Sequence, residues 1–302
     1  MSCFLMGTIL ISAKQLIKSS TEISRKLSIS EFIIASTLIA FGTSLPELFV
    51  GATSSANGLG GIALGNVLGS NIFNICFILV LFLFLNKKKV QACRSLKRET
   101  TLLFISAIIF VSSLVYQQKT GILLGVFFIL LFFTNLIYKL ILDSKNNKKL
   151  IPKKLVNKSN PIIFGSFVIS LTGLTLGSHF FIQNVEKVIQ NFHIDELLIG
   201  STLVAIGTSL PELLIMIFSL KNKKNDLALG AIIGSEVFNL LIVLGTSISI
   251  STLAITDSIH SLLYLLTVSF LTLYVFFFTS RPKLFGVILL ALGLIRYSLI
   301  LN

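Results

Sequence analysis

The 302-residue chain is 54% hydrophobic and only 12% charged, with a net charge of +13 and three cysteines. Soluble domains carry about 25% charged residues, so a soluble globular fold is excluded: its core could not hide this much apolar surface, and a bilayer is the natural solvent. The basic excess does not point to nucleic acid, because the Lys and Arg lie in short loops between apolar runs, and Cys3, Cys76 and Cys93 have neither metal-ligand spacing nor an evident pairing.

In chain order the apolar runs predict ten membrane spans, near 1–19, 29–55, 60–85, 100–116, 120–141, 161–183, 194–220, 226–251, 259–279 and 283–301, most long enough to cross a hydrocarbon core of about 30 Å as a helix. The first is short and interrupted by Lys14, and no cleavable signal peptide is evident. A polar linker from Asp143 to Asn160 holds six lysines and divides the chain into five spans and five. The expected fold is therefore an all-α polytopic membrane protein, with one five-helix unit at 1–142, a linker at 143–160 and a second unit at 161–302.

The two units repeat each other. STLIAFGTSLPEL at 36–48 matches STLVAIGTSLPEL at 201–213 with eleven identities in thirteen positions, and ALGNVLGSNIFN at 63–74 matches ALGAIIGSEVFN at 228–239. Both pairs are offset by 165 residues. An odd number of spans per unit forces the second copy to enter the membrane the other way up. Inverted repeats of this kind mark many secondary transporters, with the substrate site at the midplane between them.

Loop charge orients the bundle. Loops near 20–28, 86–98, 143–160, 221–225 and 280–283 hold nineteen Lys or Arg, against only Lys119 and Lys187 in the loops on the other side. Cytoplasmic loops carry the excess, so the linker is expected in the cytoplasm and both termini outside, in a multi-pass protein of the cytoplasmic (inner) membrane.

Three acidic residues read as lying inside spans rather than at their ends or in loops: Glu47, Glu212 and Glu236. An ionised carboxylate at the bilayer centre costs about 2.5–3.5 kcal/mol on insertion scales and usually faces a pathway or a partner. Neither repeat motif contains a Lys or Arg, so Glu47 and Glu212 need a proton or a bound cation for balance. Pro46 and Pro211 cannot donate to the carbonyls of Gly42 and Gly207, which unwinds the helix locally. Thr43, Ser44, Thr208 and Ser209 add hydroxyl oxygens, and Asn74 and Asn239 add amides, each four residues after a serine, Ser70 or Ser235, and so on the same helix face. The set is oxygen-only, which suits hard cations such as Ca2+ and Na+ and not Zn2+ or Cu+. Gly61, Gly65 and Gly69 read as helix-packing residues, Cys3 and Cys76 as packing residues in apolar segments, and His193 and His260 as interfacial.

The GTSLPEL and GNVLGSNIFN motifs resemble the alpha-repeats of the Ca2+:cation antiporter superfamily, in the branch of bacterial and archaeal Na+/Ca2+ exchangers. The resemblance implies a cation site formed by Thr43, Ser44, Glu47, Ser70, Asn74, Thr208, Ser209, Glu212, Ser235 and Asn239, with the backbone carbonyls of Ala40 and Ala205 serving Na+. It implies Ca2+ and Na+ as transported ions, no further cofactor and no obligate protein partner beyond the lipid bilayer. It also implies alternating access by sliding of the first span of each repeat. Asn239 stands where K+-dependent members tend to have Asp, which disfavours K+ transport. Glu236, where the family usually has Asn, either lines the pathway as an accessory ligand or makes an interhelical hydrogen bond. Ca2+/H+ exchange on the same scaffold is the nearest rival reading. A passive channel conflicts with broken inverted helices, an intramembrane enzyme lacks a nucleophile–base pair, and an inactive relative is the remaining alternative.

Overall fold

A computed structural model describes residues 2–58, 60–86, 93–117, 121–147, 160–190, 205–251, 266–272, 274, 277 and 282–301. Every regular element among them is helical. Helix α1 spans Ser2–Leu27, α2 Glu31–Thr43 and α3 Leu45–Ala56. Helix α4 (60–85) comprises Gly60–Phe73, a π turn at Asn74–Leu79, and Val80–Leu85. Next come α5 (Arg94–Gln117), α6 (Ile122–Asn147), α7 (Asn160–Gln190), the short α8 (Ala205–Thr208), α9 (Leu210–Lys221) and α10 (Asn225–Ile250). A helical stretch at 266–272 and α11 (Pro282–Leu301) complete the described chain.

The duplication is repeated in the helix ends. Leu45–Ala56 and Leu210–Lys221 start and stop 165 residues apart, as do Gly60–Phe73 and Asn225–Phe238. The two copies are also inverted. Gln15 Nε2 of α1 donates to Ser166 Oγ of α7 at 2.7 Å, while Ser12 of α1 lies against Gly173 of α7. As α1 is retraced its partner advances, so these equivalent helices run antiparallel.

Four described helices are long and apolar enough to cross a membrane: Ala63–Leu85, Arg94–Tyr116, Ile122–Leu142 and Asn225–Ile250. The pair α2 and α3, bent by 46° at Ser44, makes a fifth candidate. The expected spans 194–220 and 259–279 extend beyond the described residues, as do His193, His260 and much of the linker. The first helix runs past the span expected at 1–19. It continues to Leu27 because Ser19, Ser20, Thr21 and Ser24 are buried within it, and the hydroxyls of Ser19 and Ser20 bond back to the Leu16 carbonyl. Only at Ser28, with a positive φ of 56°, does the chain leave the helix.

Two apolar clusters divide the interior. The larger joins α4, α5, α6, α9 and α10 through side chains such as Phe82, Phe110, Phe128 and Phe238. The smaller holds α1 and α7 together and against α2, through Leu16, Ile17, Phe167, Leu174 and Ile39. Exposed apolar residues recur at helical spacing on α6 (Leu123, Leu130, Ile137) and on α11 (Leu284, Val287, Ile288, Leu294, Ile295), the faces a bilayer would cover. The reading that confined interior carboxylates to three missed a fourth. Glu99 on α5 is fully buried and bonded to Lys139 of α6, a pairing across 40 residues that span-by-span hydropathy cannot reveal.

Candidate cation site

The site is built on two matched helix breaks. Ser44 has φ −92° and ψ 11°, and Ser209 has φ −86° and ψ 3°, both in the bridge region outside the helical well. The cause is local: Pro46 and Pro211 each sit at the second position of the following helix, where a missing N–H and a fixed φ are tolerated. Glu47 and Glu212 follow directly, in the first turns of α3 and α9. A second distortion serves the amides. Asn74 and Asn239 each open a π turn, Asn74–Leu79 and Asn239–Val243, a widening that recurs at functional positions in helices.

Helix packing brings the breaks together. On α10, Gly230 and Gly234 let the helix ride on the backbone of α2: a Cβ at Gly230 would lie 2.4 Å from the Phe32 carbonyl oxygen, and one at Gly234 2.4 Å from Ser36 Cα. That approach sets Ser235 and Glu212 of the second copy beside Ser44 of the first. The Ser44 hydroxyl donates to Glu212 Oε1 at 3.3 Å and the Ser235 hydroxyl to the same oxygen at 3.2 Å. The copies also interact reciprocally, Thr43 with Glu212 and Thr208 with Glu47. Asn71 and Glu236, equivalent positions 165 residues apart, touch directly, Asn71 Nδ2 to the Glu236 carbonyl at 3.4 Å. Equivalent residues meet only on a symmetry axis, so the pseudo-twofold axis passes between α4 and α10 at this level.

Burial is complete or nearly so at Thr43, Ser44, Glu47, Ser70, Asn74, Ser209, Glu212, Ser235 and Asn239. Yet both oxygens of Glu47, Oε2 of Glu212, the hydroxyls of Ser70 and Ser209, and both amide atoms of Asn74 and Asn239 lack a partner of hydrogen-bonding geometry within the protein. Buried polar groups are ordinarily satisfied, and each orphan costs about 1–3 kcal/mol. Orphaned oxygens drawn from four helix segments suit a bound cation that accepts several oxygen ligands at once. The Ala40 carbonyl accepts the Ser44 N–H at 3.0 Å and the Thr43 hydroxyl at 3.4 Å. Of Ala205 only the backbone, in α8, is described. Glu236 is fully buried near Asn74 and Glu212, and neither carboxylate oxygen has a donor of good geometry.

One contributor escaped the sequence reading. Asn66 Nδ2 donates to the Glu47 backbone carbonyl at 3.1 Å, and its Oδ1 is buried without a partner. Its position one turn before Ser70 was a usable signal. Comparison of the repeats passes over it, because the equivalent residue is Ala231.

Buried carboxylates among hydroxyl and amide oxygens, at matched helix breaks of two inverted repeats, define an ion-coupled membrane transporter. The chain belongs to the sodium/calcium exchanger protein family, which it matches over residues 1–141 and 162–300, and is accordingly a cation antiporter. It is 34% identical over 253 residues to the putative antiporter CaxA of Alkalimonas amylolytica, covering 80% of this chain and 77% of that protein. It is 28% identical over 269 residues to the sodium/calcium exchanger MaX1 of Methanosarcina acetivorans, covering 76% and 77%. Its fold matches the sodium-calcium exchanger NCX_Mj, soaked with 2.5 mM Na+ and 1 mM Sr2+, with a TM-score of 0.84 at 25% identity, over 98% of this chain and 96% of that one.

Proposed function

We propose that the protein exchanges Ca2+ for Na+ by alternating access, with Glu47 and Glu212 sharing the divalent ion. The observation that carries this reading is the set of orphaned, buried oxygens around those two carboxylates, contributed by both repeats. Thr43, Ser44, Ser70, Asn74 and their equivalents Thr208, Ser209, Ser235 and Asn239 complete the ligand set, with the carbonyls of Ala40 and Ala205 available to Na+. Two carboxylates repel each other without a cation. Either one Ca2+ or a group of Na+ ions relieves that repulsion, which makes the two occupancies mutually exclusive and couples the fluxes. The ions are cargo, and the mechanism calls on no cofactor. Membership of the sodium/calcium exchanger family and the description of MaX1 as a sodium/calcium exchanger support Na+ as the driving ion.

In proteoliposomes, an imposed Na+ gradient is expected to drive Ca2+ uptake, and a pH gradient alone is not. Uptake driven only by the pH gradient would replace Na+ with H+ in the mechanism and bring Glu236 forward as the proton carrier.

The reading places the chain in the cytoplasmic membrane, with units 1–142 and 161–302 joined by a cytoplasmic linker and both termini outside. A cysteine at Asn147, in a variant lacking the native cysteines, is expected to resist an impermeant thiol reagent added to intact cells. One at exposed Asn57 is expected to react, and the reverse pattern would overturn the topology.

A further inference from the structure

Outside the cation site, Glu99 of α5 and Asn135 and Lys139 of α6 form a buried charged network, with Glu99 fully buried, Lys139 1% exposed and Asn135 9%. Lys139 Nζ donates to Glu99 Oε1 at 3.2 Å, and Asn135 Nδ2 lies 3.2 and 3.3 Å from the two Glu99 oxygens. The Arg98 guanidinium stands 3.7 Å from the same carboxylate and over the Tyr138 ring. The ammonium has two more acceptors, both on one residue of α2: the Ser36 carbonyl at 3.2 Å and the Ser36 hydroxyl at 3.3 Å. Its three hydrogens thus have three partners.

Ser36 lies in a π turn, Ala35–Ile39, where the Ala40 N–H reaches back five residues to the Ala35 carbonyl. In a regular α-helix that N–H would bond the Ser36 carbonyl. The wide turn therefore strips Ser36 of its helical donor, and the Lys139 ammonium replaces it. Reverting the turn to α geometry would shift everything downstream by one residue, a rotation of about 100°. Thr43 and Ser44 lie seven and eight residues downstream, and Ser44 is the residue that bonds Glu212. The residues 165 positions after Glu99 and Asn135 are Tyr264 and Ile300, so this charged pairing is not part of the repeated pattern.

We propose that Lys139, held by Glu99 and Asn135, is a positioning residue for cation exchange: by occupying the Ser36 carbonyl it maintains the π turn and sets the rotation at which Thr43 and Ser44 face Glu212. The proposal rests on the cation-site reading above. Its test uses the full chain in proteoliposomes and the double variant Lys139→Met/Glu99→Gln, which removes both charges so that neither is left buried alone. The expected result is normal insertion with a KM for Ca2+ raised about tenfold or more, since an ångström of misplacement at a site has effects of this size. Ser36→Ala spares the carbonyl and is expected to keep a KM close to the parent's. Should the double variant fail to insert, Lys139→Arg keeps the ion pair but moves the donors into a planar fork and is expected to raise KM too. An unchanged KM in the inserted double variant, or in Lys139→Arg where only that variant inserts, with at most a lowered melting temperature, would reduce the network to a structural ion pair. The readout is a ratio to the parent's KM, so it stands whichever ion drives uptake. Absence of Na+ drive in the parent would count against the proposed function alone.

Discussion

Glu47→Gln and Glu212→Gln are each expected to abolish Na+-driven Ca2+ uptake while the protein still inserts. Both carboxylates are buried, and they interact across the repeats. Removing either leaves a divalent ion facing half the countercharge in a region where uncompensated charge is costly. Glu→Asp at either position is expected to do nearly as badly. It withdraws the oxygens by one methylene, about 1.5 Å, whereas Ca2+–oxygen distances are confined to about 2.3–2.6 Å. Glu212 Oε1 accepts from Ser44 and Ser235, and Glu47 interacts with Thr208 of the other repeat. Ca2+ is expected to stabilise the parent by about 2.7 kcal/mol at a hundredfold excess over Kd and to stabilise neither Gln variant. Glu236→Asn introduces the residue type of its equivalent, Asn71, and is expected to retain transport. A Gln variant at Glu47 or Glu212 that moved Ca2+ at the parental rate would overturn the shared site.

Gly234→Ala is expected to damage fold and function together. The added Cβ would sit 2.4 Å from Ser36 Cα and 2.9 Å from Ala40 Cβ, backbone-level contacts that no side-chain rotation relieves. Forcing α2 and α10 apart should destabilise the protein by about 1–3 kcal/mol. Because Ser235 adjoins Gly234 and holds Glu212, the same displacement parts Glu212 from Ser44. A Ca2+ titration of the detergent-purified variant is therefore expected to show weakened binding alongside the lower melting temperature. Parental values for both would mean that the close approach of these helices is not needed.

The elements most legible in the sequence were those where polar chemistry repeats inside apolar runs. Pro46 and Pro211 announced the helix breaks, because a missing N–H acts locally and needs no knowledge of neighbours. The serine-to-asparagine spacing of the second motif placed Ser70 with Asn74 and Ser235 with Asn239 for the same reason. The π turns that open at both asparagines were not legible, since no residue type marks a π turn in the way that proline marks a break. Lys139 and Glu99 were hidden differently. A charge near a span end reads as interfacial, and only tertiary structure shows that these two residues, 40 apart, satisfy each other. Asn66 was lost because the duplication that exposed its neighbours is broken at that position.

The uneven burial of the long helices also decides where the lipid can act on the molecule. Only 22% of the apolar window of α6 is covered by protein, while that of α10 is wholly covered. The 21 residues of Ile122–Leu142 rise about 31 Å at 1.5 Å per residue, close to the thickness of an average hydrocarbon core. The 26 residues of α10 are longer than that core, but the apolar window at their centre is sheltered from acyl chains by the surrounding helices. Thinning or thickening of the bilayer therefore strains α6 first, through tilt or local lipid deformation, and reaches the sheltered α10 through the contacts of α6 with it, among them Gly125 and Phe128 against Gly245 and Phe132 against Phe238.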